Sequence, residues 1–147
     1  MLFGGNGGSN LVNPDVLNDT WTWDGQNWHQ ETPTPSALFL TDALGLVYDQ
    51  HRKSVVLLGS NGIGGQAHKL NWVSYWDGQS WRSDEQLTFS EGQRPANIPW
   101  NEGGQVVYDT SRKAIVLLTM GSSDKPDDPF TNEMWILEGQ TWRKIYS

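Results

Sequence analysis

Two stretches of the chain share one pattern of apolar and polar positions. Residues 44–60 read LGLVYDQHRKSVVLLGS, and residues 104–120 read GQVVYDTSRKAIVLLTM. In each stretch an apolar run ends in Tyr-Asp, a short polar turn follows, and a second run begins after Arg-Lys. Two apolar runs of strand length around a polar turn predict a β-hairpin. The runs VVLL and IVLL do not alternate, which indicates a strand that is buried on both faces.

A second phrase, built around an acidic residue and a glycine, occurs three times. It reads TWDGQNW at 22–28, YWDGQSW at 75–81 and ILEGQTW at 136–142. An Asp-Gly pair between two strand-like runs is a strong signal for a hairpin, typically with positive φ at both central residues. Because the phrase recurs in every unit, we interpret it as a structural part, a turn flanked by tryptophans that fill space between layers.

The loop length of this hairpin is left open by the sequence. A two-residue loop places Trp21 opposite Trp28 and Trp135 opposite Trp142, whereas a four-residue loop pairs Trp23 with Trp28. Aromatic residues that face each other across two strands stabilise a hairpin by roughly 0.2–1 kcal/mol per pair.

Together the two hairpins form a unit of four strands, and this unit recurs along the chain. The sequence therefore predicts one partial domain over 1–147, divided into an incomplete unit at 1–31 and full units at 44–84 and 104–145. The predicted strands are 1–4, 18–24 and 27–31 in the first unit, 44–49, 54–59, 71–77 and 80–84 in the second, and 104–109, 114–119, 133–138 and 141–145 in the third.

Composition and charge narrow the classes of partner and compartment. The chain has nine Trp and sixteen Gly, a net charge of −7 and ten basic residues that form no long run, so neither nucleic acid nor an anionic membrane is expected as a partner. It contains no Cys, which excludes disulfides and thiolate chemistry. No apolar stretch reaches about 18 residues, and the first residues do not resemble a signal peptide. The compartment stays open.

The repeated positions resemble the kelch-repeat family of β-propellers. Blades of that family read Y-D-x-x-R, then an apolar strand ending in Gly-Gly, then N-D-x-W-x-W-D-G-x-x-W. The positions of this chain that carry the resemblance are Gly4, Gly5, Asn18, Asp19, Trp21, Trp23, Asp24, Gly25, Trp28, Tyr48, Asp49, Arg52, Trp76, Asp77, Gly78, Trp81, Tyr108, Asp109, Arg112, Trp135, Gly139 and Trp142.

The resemblance implies an all-β fold of kelch-type propeller blades, each with four antiparallel strands. Propellers typically close with about four to eight blades, whereas this chain carries two full blades and an incomplete first one. It is therefore expected either to assemble with further copies of itself or to be a piece of a longer propeller chain. We interpret the group Tyr48-Asp49-x-x-Arg52 and its copy at 108–112 as a turn fixed by an ion pair, because Asp can cap a tight turn and Arg can stack on a neighbouring aromatic ring.

Candidate binding residues follow from the strand order. In a four-stranded antiparallel unit the short turns lie at one end, and the long connections lie at the other, where function is usually placed. Trp100 is the best candidate because it lies outside the repeated Trp positions, although it also suits a plug between units. The candidate ligand-binding residues are Asn61, His68, Arg94, Trp100, Asp124 and Asp127.

The function expected from these features is a non-catalytic binding scaffold that binds a protein partner through the long-loop end. Two alternatives stay open. One is a carbohydrate-binding propeller module, with Trp100 and polar loop groups around the channel, and the other is part of an enzyme whose site is completed by missing blades or other chains.

Dedicated cofactor and metal sites are not expected. The stretch 62–67 fits G-x-G-x-x-A, but it precedes a Trp-rich hairpin rather than the helix that dinucleotide binding requires. The acidic loop 122–129 could bind calcium weakly, although it lacks the D-x-D-x-D-G pattern of a dedicated loop. The related copper oxidases need a cysteine cross-linked to tyrosine, and this chain has none. No catalytic residue is assigned.

Overall fold

The computed structural model describes residues 1–7, 16–32, 42–60, 72–84, 88–89, 105–121 and 131–146. Within these ranges the chain forms strands and no helix, which confirms the all-β prediction. No helix in the described ranges could therefore cross a membrane. The strands are β1 (Leu2–Asn6), β2 (Val16–Trp23), β3 (Trp28–Glu31), β4 (Asp42–Asp49), β5 (Ser54–Ser60), β6 (Trp72–Trp76), β7 (Trp81–Asp84), β8 (Thr88–Phe89), β9 (Gln105–Asp109), β10 (Ala114–Gly121), β11 (Thr131–Glu138) and β12 (Thr141–Tyr146).

The strands form three sheets that follow one another along the chain. The N-terminal sheet has the order β1-β2-β3, the middle sheet β4-β5-β6-β7, and the C-terminal sheet β8-β12-β11-β10-β9. Consecutive strands pair antiparallel within each sheet, and the strand bounds agree with the predicted ones to within two residues. The exception is β8, which pairs parallel with β12 and was not predicted, because two residues are too short to show a period.

The tryptophan hairpins adopt the register of the four-residue loop. Trp23 pairs with Trp28, and Trp76 pairs with Trp81. Trp21 lies opposite Gln30, so the two-residue alternative is wrong for this hairpin. Each Trp pair is in contact across the strands, with ring centroids 5.4 Å apart in both hairpins.

The third hairpin keeps the same register although Leu replaces the first Trp. Leu137 pairs with Trp142, and Trp135 pairs with Lys144 rather than with Trp142. The two-residue alternative, which places Trp135 opposite Trp142, is therefore wrong for this hairpin as well. Lys144 instead places its ammonium 5.9 Å from the centre of the Trp135 ring.

The middle sheet is covered on both faces. Val56 and Leu58 belong to a core cluster shared with the C-terminal sheet, in which Ile115 and Leu117 lie opposite them. Leu57, between them in sequence, belongs to a second cluster with residues of the N-terminal sheet. Since successive side chains of a strand point to opposite faces, one run of three fully buried residues in β5 holds both neighbouring sheets. The unbroken apolar pattern of this strand predicted such burial.

The first strands of the two later units approach closely. β4 and β9 are in contact along their lengths, and a Cβ placed on Gly45 would lie 2.5 Å from Val106 Cγ1. Glycine at this position lets the middle and C-terminal sheets converge at their β4 and β9 edges.

We expect Gly45→Ala to lower the free energy of unfolding by about 1–3 kcal/mol, because the added methyl group overlaps Val106. Urea unfolding measures the change. Adding Val106→Ala should recover part of the loss, with a coupling of about 0.5 kcal/mol or more in a double-mutant cycle. Strictly additive effects would contradict the close approach.

Candidate functional site

The turn between β4 and β5 is held by the carboxylate of Asp49. Its Oδ1 accepts hydrogen bonds from the backbone N–H groups of His51 and Arg52, at 2.8 and 2.9 Å. Its Oδ2 accepts a hydrogen bond from Arg52 Nη1 at 2.6 Å, and the carboxylate is completely buried. Lys53 completes the turn with a φ of 54°. The sequence D-x-x-R-K therefore encodes a side-chain-capped turn in which Asp supplies the acceptors.

The turn between β9 and β10 repeats this geometry in a more exposed setting. Asp109 accepts from the backbone N–H groups of Ser111 and Arg112 at 2.8 and 3.0 Å, and from Arg112 Nη1 at 2.7 Å. The Arg112 backbone and then its guanidinium hold the pKa of Asp109 below its ordinary value. Here the Asp side chain is 21% exposed and most of the Arg side chain is in solvent.

The difference in burial has a structural cause. Arg52 Nη2 donates a second hydrogen bond, at 2.6 Å, to the carbonyl oxygen of Gly139 in the C-terminal sheet. Its guanidinium carbon also lies 5.7 Å from the centre of the Tyr75 ring. The Asp49 turn is thus enclosed by the following sheet, whereas the equivalent Asp109 turn belongs to the last sheet of the chain.

The turn between β2 and β3 uses its Asp in the same way. Asp24 Oδ1 accepts from the backbone N–H groups of Gln26 and Asn27, each at 2.7 Å, and Oδ2 lies 2.6 Å from His29 Nε2. The Asn27 backbone, the His29 side chain and the Gln26 backbone lower the pKa of Asp24 to about 2. Positive φ is found at Gly25 but not at Asp24, so the expectation that both residues of the pair adopt it is wrong.

The other two copies of the phrase also pair their acidic residue with a base five positions later. Arg82 lies 3.2 Å from Asp77, and Arg143 lies 2.9 Å from Glu138. Hydrogen bonds from the Ser80 and Gln79 backbone lower the pKa of Asp77, and the Arg143 side chain lowers that of Glu138. The phrase is therefore [DE]-G-Q-x-W-[HR]. The basic residue at its last position was not predicted, although His29, Arg82 and Arg143 stand there in the three copies.

Acidic residues also fix two of the indole rings. Trp21 Nε1 donates to Asp19 at 2.6 Å, and Trp135 Nε1 donates to Glu133 at 2.9 Å, in each case two residues along the same strand. Lys144 Nζ lies 2.7 Å from Glu133, so this carboxylate also carries an ion pair. These acids position tryptophans within the sheets.

An open cleft lies between the two D-x-x-R-K turns. It has a volume of about 250 Å³ and is lined by Gln50, His51, Tyr108, Thr110 and Lys113. The lining is polar, and the nearby carboxylates of the two turns are each paired with their own arginine. The cleft can offer hydrogen-bond donors and a positive charge. It lies at the short-turn end, opposite the end where the sequence placed the binding residues.

The sequence-predicted binding residues lie outside the described ranges, and so does the acidic loop 122–129. These residues are Asn61, His68, Arg94, Trp100, Asp124 and Asp127. The repeated motif residues are all described, and most of them form turns, ion pairs or aromatic pairs, whereas Tyr48 is exposed. Within the described ranges, no group of three or more His, Asp or Glu side chains is placed to hold a metal ion.

The tryptophans of the repeated phrase differ in their exposure. Trp76 and Trp81 are 5% and 6% exposed, whereas Trp23 and Trp28 are 48% and 45% exposed. The two pairs have nearly the same geometry, with interplanar angles of 50° and 48°. Exposure is therefore set by what covers each sheet and not by the hairpin itself.

Comparison with known proteins gives no match. No family model fits the chain, and no curated protein or solved structure is significantly similar to it.

We expect Asp49→Ala to cost about 2–4 kcal/mol of unfolding free energy, because it leaves buried N–H donors and an arginine without their acceptor. Asp109→Ala is the matched control, since it removes the same contacts from a more exposed turn and should cost clearly less. Chemical denaturation of both variants measures the difference. Equal losses would contradict a role for burial by the following sheet.

We expect Asp24→Asn, which keeps an acceptor oxygen but removes the charge, to change the acid stability of the protein. The folded pKa of Asp24, about 2, is below the ordinary value of 3.8, so the ionised form stabilises the fold. This contribution is complete above the ordinary value and is lost as the pH falls towards 2. The stability gap between wild type and variant should therefore shrink through that window. In a Gln26→Ala control, the gap should not change with pH.

Proposed function

We propose that the protein is a non-catalytic binding scaffold built from kelch-type propeller blades, and that a protein partner binds the end from which the long connections leave. The observation that carries this proposal is the difference between the two ends of the sheets. One end holds short turns whose polar side chains are bonded to the turns themselves. The other end holds the connections in which the chain departs from its repeat.

The strand pairings support this division. The long segments 8–15, 61–71 and 122–130 each connect two paired strands. The pairing of these strands continues to the ends that the segments join, in β1 and β2, β5 and β6, and β10 and β11. In antiparallel sheets these ends lie opposite the D-x-x-R-K and D-G-Q turns. The bond from Arg52 to Gly139 brings turns of two sheets together, which supports a common short-turn end.

A non-catalytic role is supported by how the described acids are used. At both kinds of turn the Asp accepts backbone hydrogen bonds and is paired with a base, so these carboxylates are occupied in holding the turns. A general acid or base needs access to a substrate proton. The proposal therefore assigns binding to the variable connections and not to the repeated turns. The net charge of −7 favours a partner whose contact surface is basic.

Trp100 and Asp124 are the positions at which to test the proposal. Trp100 is outside the repeat, and tryptophans are enriched among residues that dominate binding energies. Protein fragments enriched by the wild-type chain from a displayed library should bind Trp100→Ala and Asp124→Ala variants about 10-fold more weakly or worse. Gln50→Ala and Thr110→Ala, at the short-turn end, are matched controls that should bind as wild type does.

Two outcomes would contradict the proposal. Loss of binding only in the Gln50→Ala and Thr110→Ala controls would place the site in the cleft between the turns. Retention on a glycan array, lost in Trp100→Ala with no protein ligand found, would favour carbohydrate recognition. Thermal unfolding of each variant separates lost binding from lost structure.

A further inference from the structure

The two sides of a sheet differ in a consistent way along this chain. We call the side that meets the preceding sheet in the chain the front face, and the side that meets the following sheet the rear face. In the middle sheet the front face carries Leu57, Trp76 and Trp81, which pack with the N-terminal sheet. Its rear face carries Val56 and Leu58, which pack with the C-terminal sheet.

At the interface between the first two sheets, a rear face meets a front face. Phe3 of the N-terminal sheet packs edge-on against Trp81, with ring centroids 5.5 Å apart. Trp81 Nε1 donates a hydrogen bond of 2.9 Å to Thr20 Oγ1 in the same sheet as Phe3. The second interface repeats this order, because the rear face of the middle sheet packs on the front face of the C-terminal sheet.

In the part of the chain that the structure describes, no sheet packs against the front face of the N-terminal sheet, and several of its apolar side chains are exposed. Since Thr20 points to the rear face, the odd-numbered positions of β2 point to the front, and Trp23 and its cross-strand partner Trp28 lie there. Leu2, opposite Trp21, lies on the same face and is exposed. In the middle sheet the equivalent residues Trp76 and Trp81 are buried by a neighbouring sheet.

On the rear face of the C-terminal sheet, Ala114, Val116 and Ile136 form a small buried cluster whose described members all belong to this sheet, and apolar side chains beside it are exposed. Ile115 and Leu117 point to the front, so Val116 and Leu118 point to the rear. Leu118 is 36% exposed, whereas the equivalent Leu58 of the middle sheet is completely buried. Val107 in the adjacent strand is exposed as well. It lies on the rear face, because its neighbours Val106 and Tyr108 pack against the core on the front face.

The two faces with exposed apolar residues are therefore of complementary kinds. The front face of the N-terminal sheet is the kind that elsewhere packs on a rear face, and the rear face of the C-terminal sheet is the kind that elsewhere packs on a front face. A second copy of the chain would supply the missing partner in each case. Apolar residues whose equivalents inside the chain, Trp76, Trp81 and Leu58, are buried mark an interaction site when they stand exposed.

A hydrogen bond from an arginine to the following sheet occurs in the middle sheet, and the equivalent arginine of the C-terminal sheet is exposed. Arg52 of the middle sheet donates to the carbonyl of Gly139 in the following sheet. The equivalent Arg112 stands in the last sheet, mostly in solvent. In a following copy the position equivalent to Gly139 is Gly25, so head-to-tail packing of the same kind would bring the Arg112 guanidinium to the Gly25 carbonyl of that copy.

We propose that the protein self-associates head to tail, with the rear face of the C-terminal sheet of one copy against the front face of the N-terminal sheet of the next. The contact is heterologous, so it forms a closed ring if the rotation between copies closes and an open chain if it does not. Two copies contribute six sheets, within the range of roughly four to eight blades at which propellers close. This inference goes beyond the proposed function because it concerns the sheet faces and not the long-connection end.

The test uses two complementary variants of the full chain. The front-face variant carries Trp23→Ser and Trp28→Ser, and the rear-face variant carries Val107→Lys and Leu118→Lys. Sedimentation velocity over a range of concentrations should give a mass of twice the 16.5 kDa chain, or a higher multiple, for the wild type. Each variant alone should associate at least about 30-fold more weakly, the loss expected when a dominant contact is removed.

Mixing the two variants should restore a species of twice the chain mass, because each retains the face that the other lacks. Gln79→Lys, at an exposed turn of the middle sheet, is the charge control and should associate as wild type does. Circular dichroism should show that both variants keep their strands. If the tryptophan variant does not fold, Leu2→Lys replaces it as the front-face variant, because Leu2 is an exposed side chain on the same face.

Three results would overturn the proposal. A wild type that stays monomeric at all concentrations would show that a second copy does not cover these faces. A rear-face variant that still forms dimers while the front-face variant does not would indicate a front-to-front contact. A mixture that stays monomeric would exclude the head-to-tail pairing.

Discussion

The burial of β5 between two sheets is the constraint on which the rest of this structure depends. A sheet with an apolar face must bury that face against another layer. Val56, Leu57 and Leu58 are completely buried, and their side chains alternate between the two neighbouring sheets. One strand of consecutive apolar residues therefore holds three sheets together, and each sheet presents one kind of face to the sheet before it and another kind to the sheet after it.

Packing of this kind requires that every hairpin keep its register, because a shift of one residue would exchange the two faces of a strand. The acidic residues of the turns fix that register. Asp24, Asp49 and Asp109 each accept two backbone N–H groups of their own turn, and a basic side chain pairs with the same carboxylate. Most of the charge at the short-turn end is thus committed to the fold, which leaves recognition to other parts of the chain.

Two surfaces remain for recognition, and they differ in chemistry. The long connections depart from the repeat and carry polar and aromatic residues, which suits a specific partner. The exposed apolar residues of the outer sheet faces are equivalent to residues that are buried elsewhere in the same chain. These faces therefore suit contact with another sheet of the same kind. Trp23 and Trp28 make this contrast plain, since their geometry matches that of Trp76 and Trp81 while their exposure does not.

The sequence by itself determined the hairpins, the strand bounds to within two residues and the all-β class, because these follow from local periodicity and turn chemistry. It did not determine the hairpin register, because Asp-Gly is compatible with both loop lengths. The four-residue loop is the one in which the Asp24 and Asp77 carboxylates accept backbone N–H groups three residues later. It also did not reveal β8, which exists only through its pairing with β12. Which copy of a repeated tryptophan pair is buried was decided by tertiary structure alone, because burial depends on the sheet that stands opposite.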